Sequence, residues 1–569
     1  MRVARAPWSV ARNLVPFLAD HGPRSTDRRA LLLLSLVVLA TSLPFVGRAY
    51  FVDDYYFVTM AKGILSNPWR PYDFKSDDAG IANVGWERGQ RPRMVNPPLF
   101  HYGLAGVMAL FGDAPWKLRT ASLLFSFMAL FSMYFLGKRL VPDPLVAAVL
   151  MAVSPAYWLT SYSLLIDSAL IAFVLASLLA FFIGQEKKSL GWIAMSGFLM
   201  GLTMLVKYFG VLVVVLAFAW QMLDAGRRRW KPGYIAYVVF LAVQLLWAAW
   251  NVSTYGQSHF LAALPRGMNS PSLVVWAQKS LVLASFIGGS LLFVLASDAM
   301  LWRVSKAWLG GVLGIMGVLY GVFCSRAGGF DAGQSLLLSI FIGGSIAYLV
   351  VMARVLRPAQ NKNQAFLVVW VLLGLLELII VMPWTAGRYL LCVLPAMCWV
   401  FVLMAHQLKL PKLLAAIVGA TFLMGLLVAH GDYVQANTIV NLAGELQSKT
   451  AEFQKMAPRP QRHWYYLADT FDGSQPYLFP LGWENVLPHQ KFKRGDLFLR
   501  AYYRKSSWWN VDEELKHFRP VLRFEMRSKN PIRVMDVPAS AGFYASCWGA
   551  LPWTITHHPL ERFELYQAE

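Results

Sequence analysis

Two adjacent carboxylates, Asp53 and Asp54, stand in the stretch YFVDDYYFVTMAKGIL, just after an apolar run long enough to cross a bilayer. Three further charges interrupt apolar surroundings: Asp167 in SYSLLIDSALIAFVLASLLAFF, Lys207 in GLTMLVKYFGVLVVV and Arg388 in MPWTAGRYLLCVLPA. A charge in such a setting is costly unless it is paired or faces a watery cavity, so each is a candidate for function. Carboxylates beside cations suit one chemistry in particular. The carboxylate takes or polarises the proton of an attacking group, and the cations stabilise charge building on a departing phosphate. Phosphate is already a good leaving group, so the scheme needs no separate protein acid. Blander readings stand beside this one: Asp53 or Asp54 as a helix N-cap, Lys207 as a snorkelling side chain and Arg388 as a headgroup anchor.

The elements that must hold these residues are membrane spans. The chain has 569 residues, 57% hydrophobic and only 15% charged, with a mean hydropathy of +0.47, too apolar for a soluble globular protein. Apolar segments near 30–47, 116–137, 144–161, 163–183, 190–206, 208–223, 233–250, 274–296, 307–323, 334–353, 366–383, 388–406 and 411–429 read as about 13 spans. The net charge of +21 does not signal nucleic acid. Its basic residues crowd into alternate short loops, LGKRL, QEKKS, GRRRWK, WRVSK, ARVLRP with Lys362, and LKLPK, whereas the other loops hold Lys207, Arg266, Arg326 and Arg388. That asymmetry predicts a cytoplasmic N-terminus over residues 1–29 and an external C-terminal domain. The first apolar run, Ala30 to Gly47, follows a long arginine-rich stretch and reads as a retained span rather than a signal peptide.

Two external segments exceed ordinary loops. In 48–115, Phe57, Met60, Ala61, Ile64 and Leu65 fall on one face of a helix, with Thr59, Lys62 and Ser66 on the other, which predicts a helix lying in the interface. Residues 430–569 begin with a helical pattern (Ile439, Leu442, Leu446, Phe453) and continue through RHWYYLAD, RGDLFLRAYY, VLRFEM and IRVMDV, predicting a mixed α/β domain. The cysteines Cys324, Cys392, Cys398 and Cys547 form no disulfide framework. Trp69, Trp86, Tyr55 and Tyr56 serve either as interfacial anchors or as platforms for a sugar ring. Asp53 and Asp54 could take a divalent cation through oxygen, but no His or Cys cluster has zinc spacing, and His557 and His558 diverge if extended.

The order of these pieces is that of a known family. DDYYF after a short N-terminal span, VNPPLFHYGLAGVMALFG, KLRTASLLFS, LLIDSALIAF, GLTMLVKYF and a late GRYLLCVLPA resemble the integral-membrane glycosyltransferases of the GT-C fold. They resemble in particular the branch holding the aminoarabinose transferases of lipid A and the protein O-mannosyltransferases. The resemblance implies a polytopic helical catalytic domain over 30–429 and an inverting, direct displacement of one sugar from undecaprenyl phosphate. It implies Asp53 as the carboxylate activating the acceptor, Asp54 shaping the site and Asp167 organising the sugar pocket. Lys207 and Arg388, with Tyr389, would engage the donor phosphate. Where the aminoarabinose transferases carry Glu-Lys-Pro before the second span, this chain has Val95, Asn96 and Pro97. Arg91, Arg93 or His101 is expected to replace the missing lysine.

The expected setting is the periplasmic face of a bacterial inner membrane, with a lipid, glycan or protein acceptor. A groove for the carrier tail is expected near Lys207, and donor binding is expected to order residues 75–95. Two other classes fit less well. A transporter or lipid-linked sugar flippase would show two related halves around a mid-membrane site, and no such symmetry is evident. The third is a non-catalytic assembly protein whose tail binds a partner.

Overall fold

The computed structural model describes residues 25–73, 92, 94–264, 272–326, 329–357, 361–466, 473–486, 491–502 and 515–569. Within them, apolar runs fold into helices α1 (Ser25–Ser42), α2 (Asp54–Ser66), α3 (Leu99–Phe111), α4 (Pro115–Leu140), α5 (Pro144–Val153), α6 (Pro155–Ser161), α7 (Ile166–Lys187), α8 (Leu190–Val206) and α9 (Leu212–Met222). They continue through α10 (Ile235–Tyr255), α11 (Leu273–Leu291), α12 (Lys306–Ser325), α13 (Ala332–Val355), α14 (Lys362–Ile380), α15 (Leu394–Gln407), α16 (Pro411–Ala436), α17 (Thr438–Ser448) and α18 (Thr450–Met456), with shorter helical pieces between. Among the described residues nine helices are long and apolar enough to span a bilayer, and ten if the pair α5 and α6, bent by 67°, counts as one. This is a polytopic helical membrane architecture. Each of the expected apolar segments falls on a helix, but α8, α9 and α15 are shorter than a span. The cause is local. Extended backbone at Lys207 ends α8, and a 3₁₀ turn over Gly387–Cys392 takes the place of the first turns before α15.

Between helices in lipid the hydrophobic effect gives little, so close packing carries association. Gly197 of α8 illustrates it: a Cβ there would lie 2.2 Å from the Ala236 carbonyl of α10, so only glycine lets the two backbones approach this far. The helix α2 forms where its pattern predicts, with Phe57, Met60, Ala61 and Ile64 buried; the two faces are less distinct than expected, since Leu65 is exposed and Thr59 is buried, its hydroxyl donating to the Tyr55 carbonyl at 2.9 Å.

Beyond α16 the chain builds a mixed sheet from β1 (Trp464–Tyr466), β2 (Glu484–Asn485), β3 (Leu497–Ala501), β4 (Phe518–Met526) and a last strand, Glu561–Ala568, in the order β2-β1-β3-last-β4. The last strand pairs antiparallel with both β3 and β4, and sequence patterning did not reveal it. Its ERFELYQA alternates charged with apolar residues, and Phe563 and Leu565 enter a core shared with Ile439, Leu442, Leu446 and Phe453. Residues 530–555 do something different. Ile532, Val534, Phe543, Tyr544, Leu551 and Trp553 join the core of the helical bundle rather than that of the sheet, and Trp553 Nε1 donates to the Gly289 carbonyl of α11 at 2.7 Å. The expected boundary at residue 430 therefore divides the sequence more cleanly than it divides the packing.

Candidate active site

Four of the candidate charges meet in one buried row. Arg388 donates through Nη1 to Asp53 Oδ2; its Nε lies 3.9 Å from Asp167 Oδ2; and Lys207 Nζ donates to Asp167 Oδ1 at 2.7 Å. The order is acid, base, acid, base, and each side chain is a tenth or less exposed. Lys207 Nζ also sits 4.5 Å from the ring centre of Tyr389 and 5.6 Å from that of Phe209. Interactions of this kind gain strength where water is scarce.

Each residue is aimed by a break in regular structure. Val52 adopts φ +55°, a left-handed conformation that costs a β-branched residue about 1–3 kcal/mol. The turn it makes leads directly into Asp53 and the start of α2. Asp53 occupies the position before α2 but makes no side-chain cap, so the simple capping role does not hold. Asp167 lies in the first turn of α7, where the helix dipole favours a carboxylate. Lys207 follows the C-terminus of α8, its N–H bonding the Thr203 carbonyl at 3.2 Å, and a cation is favoured at that end. Arg388 is presented by the 3₁₀ turn, which packs against α6 and α7.

Asp54 points elsewhere. Its Oδ2 accepts from Arg48 at 3.0 Å and from Arg119 at 2.9 Å, and its Oδ1 accepts from the Leu164 N–H at 3.1 Å. Arg48 reaches on to Asp432 at 2.8 Å, and Asp432 accepts from both Tyr162 and Tyr544 at 2.7 Å. Arg119 further donates to the carbonyls of Arg48 and Ala49. Burial works against the charge on Arg48, but the carboxylates of Asp432 and Asp54 outweigh it and hold the guanidinium protonated, above its ordinary range. This clamp joins the end of α1, the start of α2, α4, the bend before α7, α16 and the C-terminal segment. Asp54 thus fixes the backbone on either side of the site, next to Asp53 and three residues before Asp167.

The remaining candidates stand apart. His101 is buried, its ring edge-on to Phe57 at 5.3 Å and Phe100 at 5.9 Å; none of its described contacts reaches the row. Arg91 and Arg93 lie outside the described residues, as do Trp86, Arg266 and most of 75–95. Asp53 pairs with Arg388, whereas Asp54 pairs with Arg48 and Arg119. Among the described residues no group of three or more His, Cys, Asp or Glu is placed to hold a metal.

Sequence reasoning missed Glu377 and the clamp partners. Glu377 lies on α14, and its buried Oε2 has no hydrogen-bond partner among the described residues. Its signal was available: a lone acid in VLLGLLELIIV. Arg48, Arg119 and Asp432 sit at span ends, where a charge reads as a headgroup anchor, and nothing local marks Tyr162 or Tyr544.

Fold and site together define a polytopic helical membrane protein with a buried, charge-alternating site at the end of its bundle that also holds the C-terminal segment. Residues 95–251 match the family model of dolichyl-phosphate-mannose-protein mannosyltransferases, a stretch that contains Asp167 and Lys207 and leaves Asp53 and Arg388 outside. The chain therefore resembles glycosyltransferases in that region. No curated protein matches it. Among solved structures it is similar to ArnT from Cupriavidus metallidurans in the apo state (14% identity, 87% of this chain and 93% of that one, TM-score 0.40). ArnT from the same organism bound to undecaprenyl phosphate aligns at 15% identity over 83% and 92%, with a TM-score of 0.39. The S. cerevisiae protein O-mannosyltransferase Pmt1-Pmt2 complex bound to the sugar donor aligns at 18% identity over 44% and 36%, with a TM-score of 0.31.

Proposed function

We propose that the protein is an inverting glycosyltransferase that moves a single sugar from a polyprenyl phosphate to an acceptor at the membrane face bearing α2 and the C-terminal segment, the periplasmic face of a bacterial inner membrane. The observation that carries this reading is the row Asp53, Arg388, Asp167, Lys207. Asp53 accepts the proton of the incoming acceptor as its oxygen bonds to the anomeric carbon. The bond from that carbon to the phosphate oxygen breaks, and the electron pair leaves with the polyprenyl phosphate. Arg388 and Lys207 take up the charge on that phosphate.

Lys207 retains capacity for such a ligand. The ammonium of Lys207 has three donors, of which Asp167 takes one, so a phosphate can be received at Lys207 without breaking its bond to Asp167. Asp167 orients both cations, Tyr389 walls the Lys207 side, and Asp54 acts as a positioning residue through its clamp.

The test is transfer from radiolabelled polyprenyl-phosphate sugars in reconstituted vesicles. Label released from the carrier onto lipid, glycan or protein supports the reading; movement of intact carrier lipid without release would make the protein a flippase. In the same assay Lys207→Gln is expected to raise donor KM by about 10–100-fold, the loss of one charged hydrogen bond, with a smaller effect on acceptor KM. An unchanged donor KM would remove Lys207 from phosphate binding.

A further inference from the structure

Two consecutive residues of the C-terminal segment, Phe543 and Tyr544, bond to groups that flank the two halves of the Asp53–Arg388 pair. The Phe543 carbonyl accepts from the Gly387 N–H at 2.7 Å, directly before Arg388. Two further bonds bracket the same strand of backbone: the Ser546 N–H donates to the Thr385 carbonyl at 2.8 Å, and the Thr385 N–H donates to Ser546 Oγ at 3.0 Å. Gly387 is where the two segments press closest, since a Cβ there would lie 2.5 Å from the Phe543 ring. On the other side the Tyr544 hydroxyl accepts from Arg48 Nη2 at 3.0 Å and donates to Asp432 at 2.7 Å, and Arg48 holds Asp54, the neighbour of Asp53. The Tyr544 ring also meets Phe51 edge-on at 5.7 Å.

We infer that residues 543–546 are a positioning element of the active site: the C-terminal segment sets the spacing between the proton acceptor and the phosphate-binding arginine. The inference rests on the proposed roles of Asp53 and Arg388. The isolated alternative, a tail that merely covers the bundle, does not require contacts focused on the residues flanking this pair. The segment 540–551 is flanked on both sides by residues of the bundle core, Val534 and Trp553, so it is held by the same body that carries the pair.

The experiment uses the full-length protein in lipid nanodiscs with two variants, Tyr544→Phe, which removes only a hydroxyl, and Ser546→Ala, which removes the acceptor for Thr385. Hydrogen–deuterium exchange is expected to rise several-fold in peptides covering 48–57 for the first variant and 385–392 for the second, with peptides of α8 unchanged. In the transfer assay kcat is expected to fall by about 10–100-fold in both variants, as for a misplaced reacting group; donor KM is expected to stay within a factor of about two in Tyr544→Phe, which acts on the Asp53 side, and to rise in Ser546→Ala, which acts on the Arg388 side. Unchanged exchange in both variants, or normal kcat with altered exchange, would overturn the inference. If the wild type transfers no sugar, the proposed function fails, and the exchange result alone decides whether 543–546 hold the pair.

Discussion

Asp53→Asn is expected to lose about 10²–10⁴-fold in kcat, the range contributed by a positioned general base, while still binding the lipid-linked donor. The substitution keeps the shape of the side chain and removes its charge and basicity. Arg388 then loses the anion to which its Nη1 donates, but a donor phosphate supplies a replacement, so donor KM should stay level or fall. That signature separates the base role from a structural one. Were Asp53 present only to neutralise Arg388, the donor itself would restore the balance and turnover would survive. Turnover with saturating donor, compared with donor affinity measured by binding, distinguishes the two.

The neighbouring substitution should behave in the opposite way. Asp54→Ala leaves Arg119, fully buried, with only backbone carbonyls as described acceptors, and leaves Arg48 to share Asp432 with two tyrosines. Breaking a buried pair from one side costs about 3–5 kcal/mol because the uncompensated charge stays out of water. We expect Asp54→Ala to melt at a markedly lower temperature in detergent, whether or not donor is present, and to give little folded protein. The cost is several-fold that of an exposed pair such as Lys62–Asp113, whose removal should shift melting little. A normal melting curve for Asp54→Ala with a loss confined to kcat would mean that Asp54, not Asp53, faces the substrate.

That contrast also marks where sequence reasoning stops. Isolated charges in apolar runs made Asp53, Asp54, Asp167, Lys207 and Arg388 visible, and the break at Lys207 in GLTMLVKYF was legible as a turn. Which of two adjacent aspartates faces which cation was not, because Arg119 and Arg388 are brought to them from distant parts of the chain. The clamp was invisible for a different reason. Arg48 and Asp432 are separated by most of the chain, and each alone is an ordinary charge at a span end. Helices were legible from composition, but the strand Glu561–Ala568 hid behind its charged face, and residues 530–555 look like part of the soluble tail until their packing against the bundle is seen. His101 stood out as a histidine near a missing lysine; that its ring is buried beside Phe57 and Phe100 was not legible.

The most direct measurement is photocrosslinking with a polyprenyl phosphate that carries a photoreactive group beside its phosphate, followed by peptide mapping. The row of alternating charges predicts labelling concentrated at 207–211 and 387–392, suppressed by competing unlabelled polyprenyl phosphate and weakened in Lys207→Gln. Labelling confined to helices distant from both segments, insensitive to competitor, would contradict it.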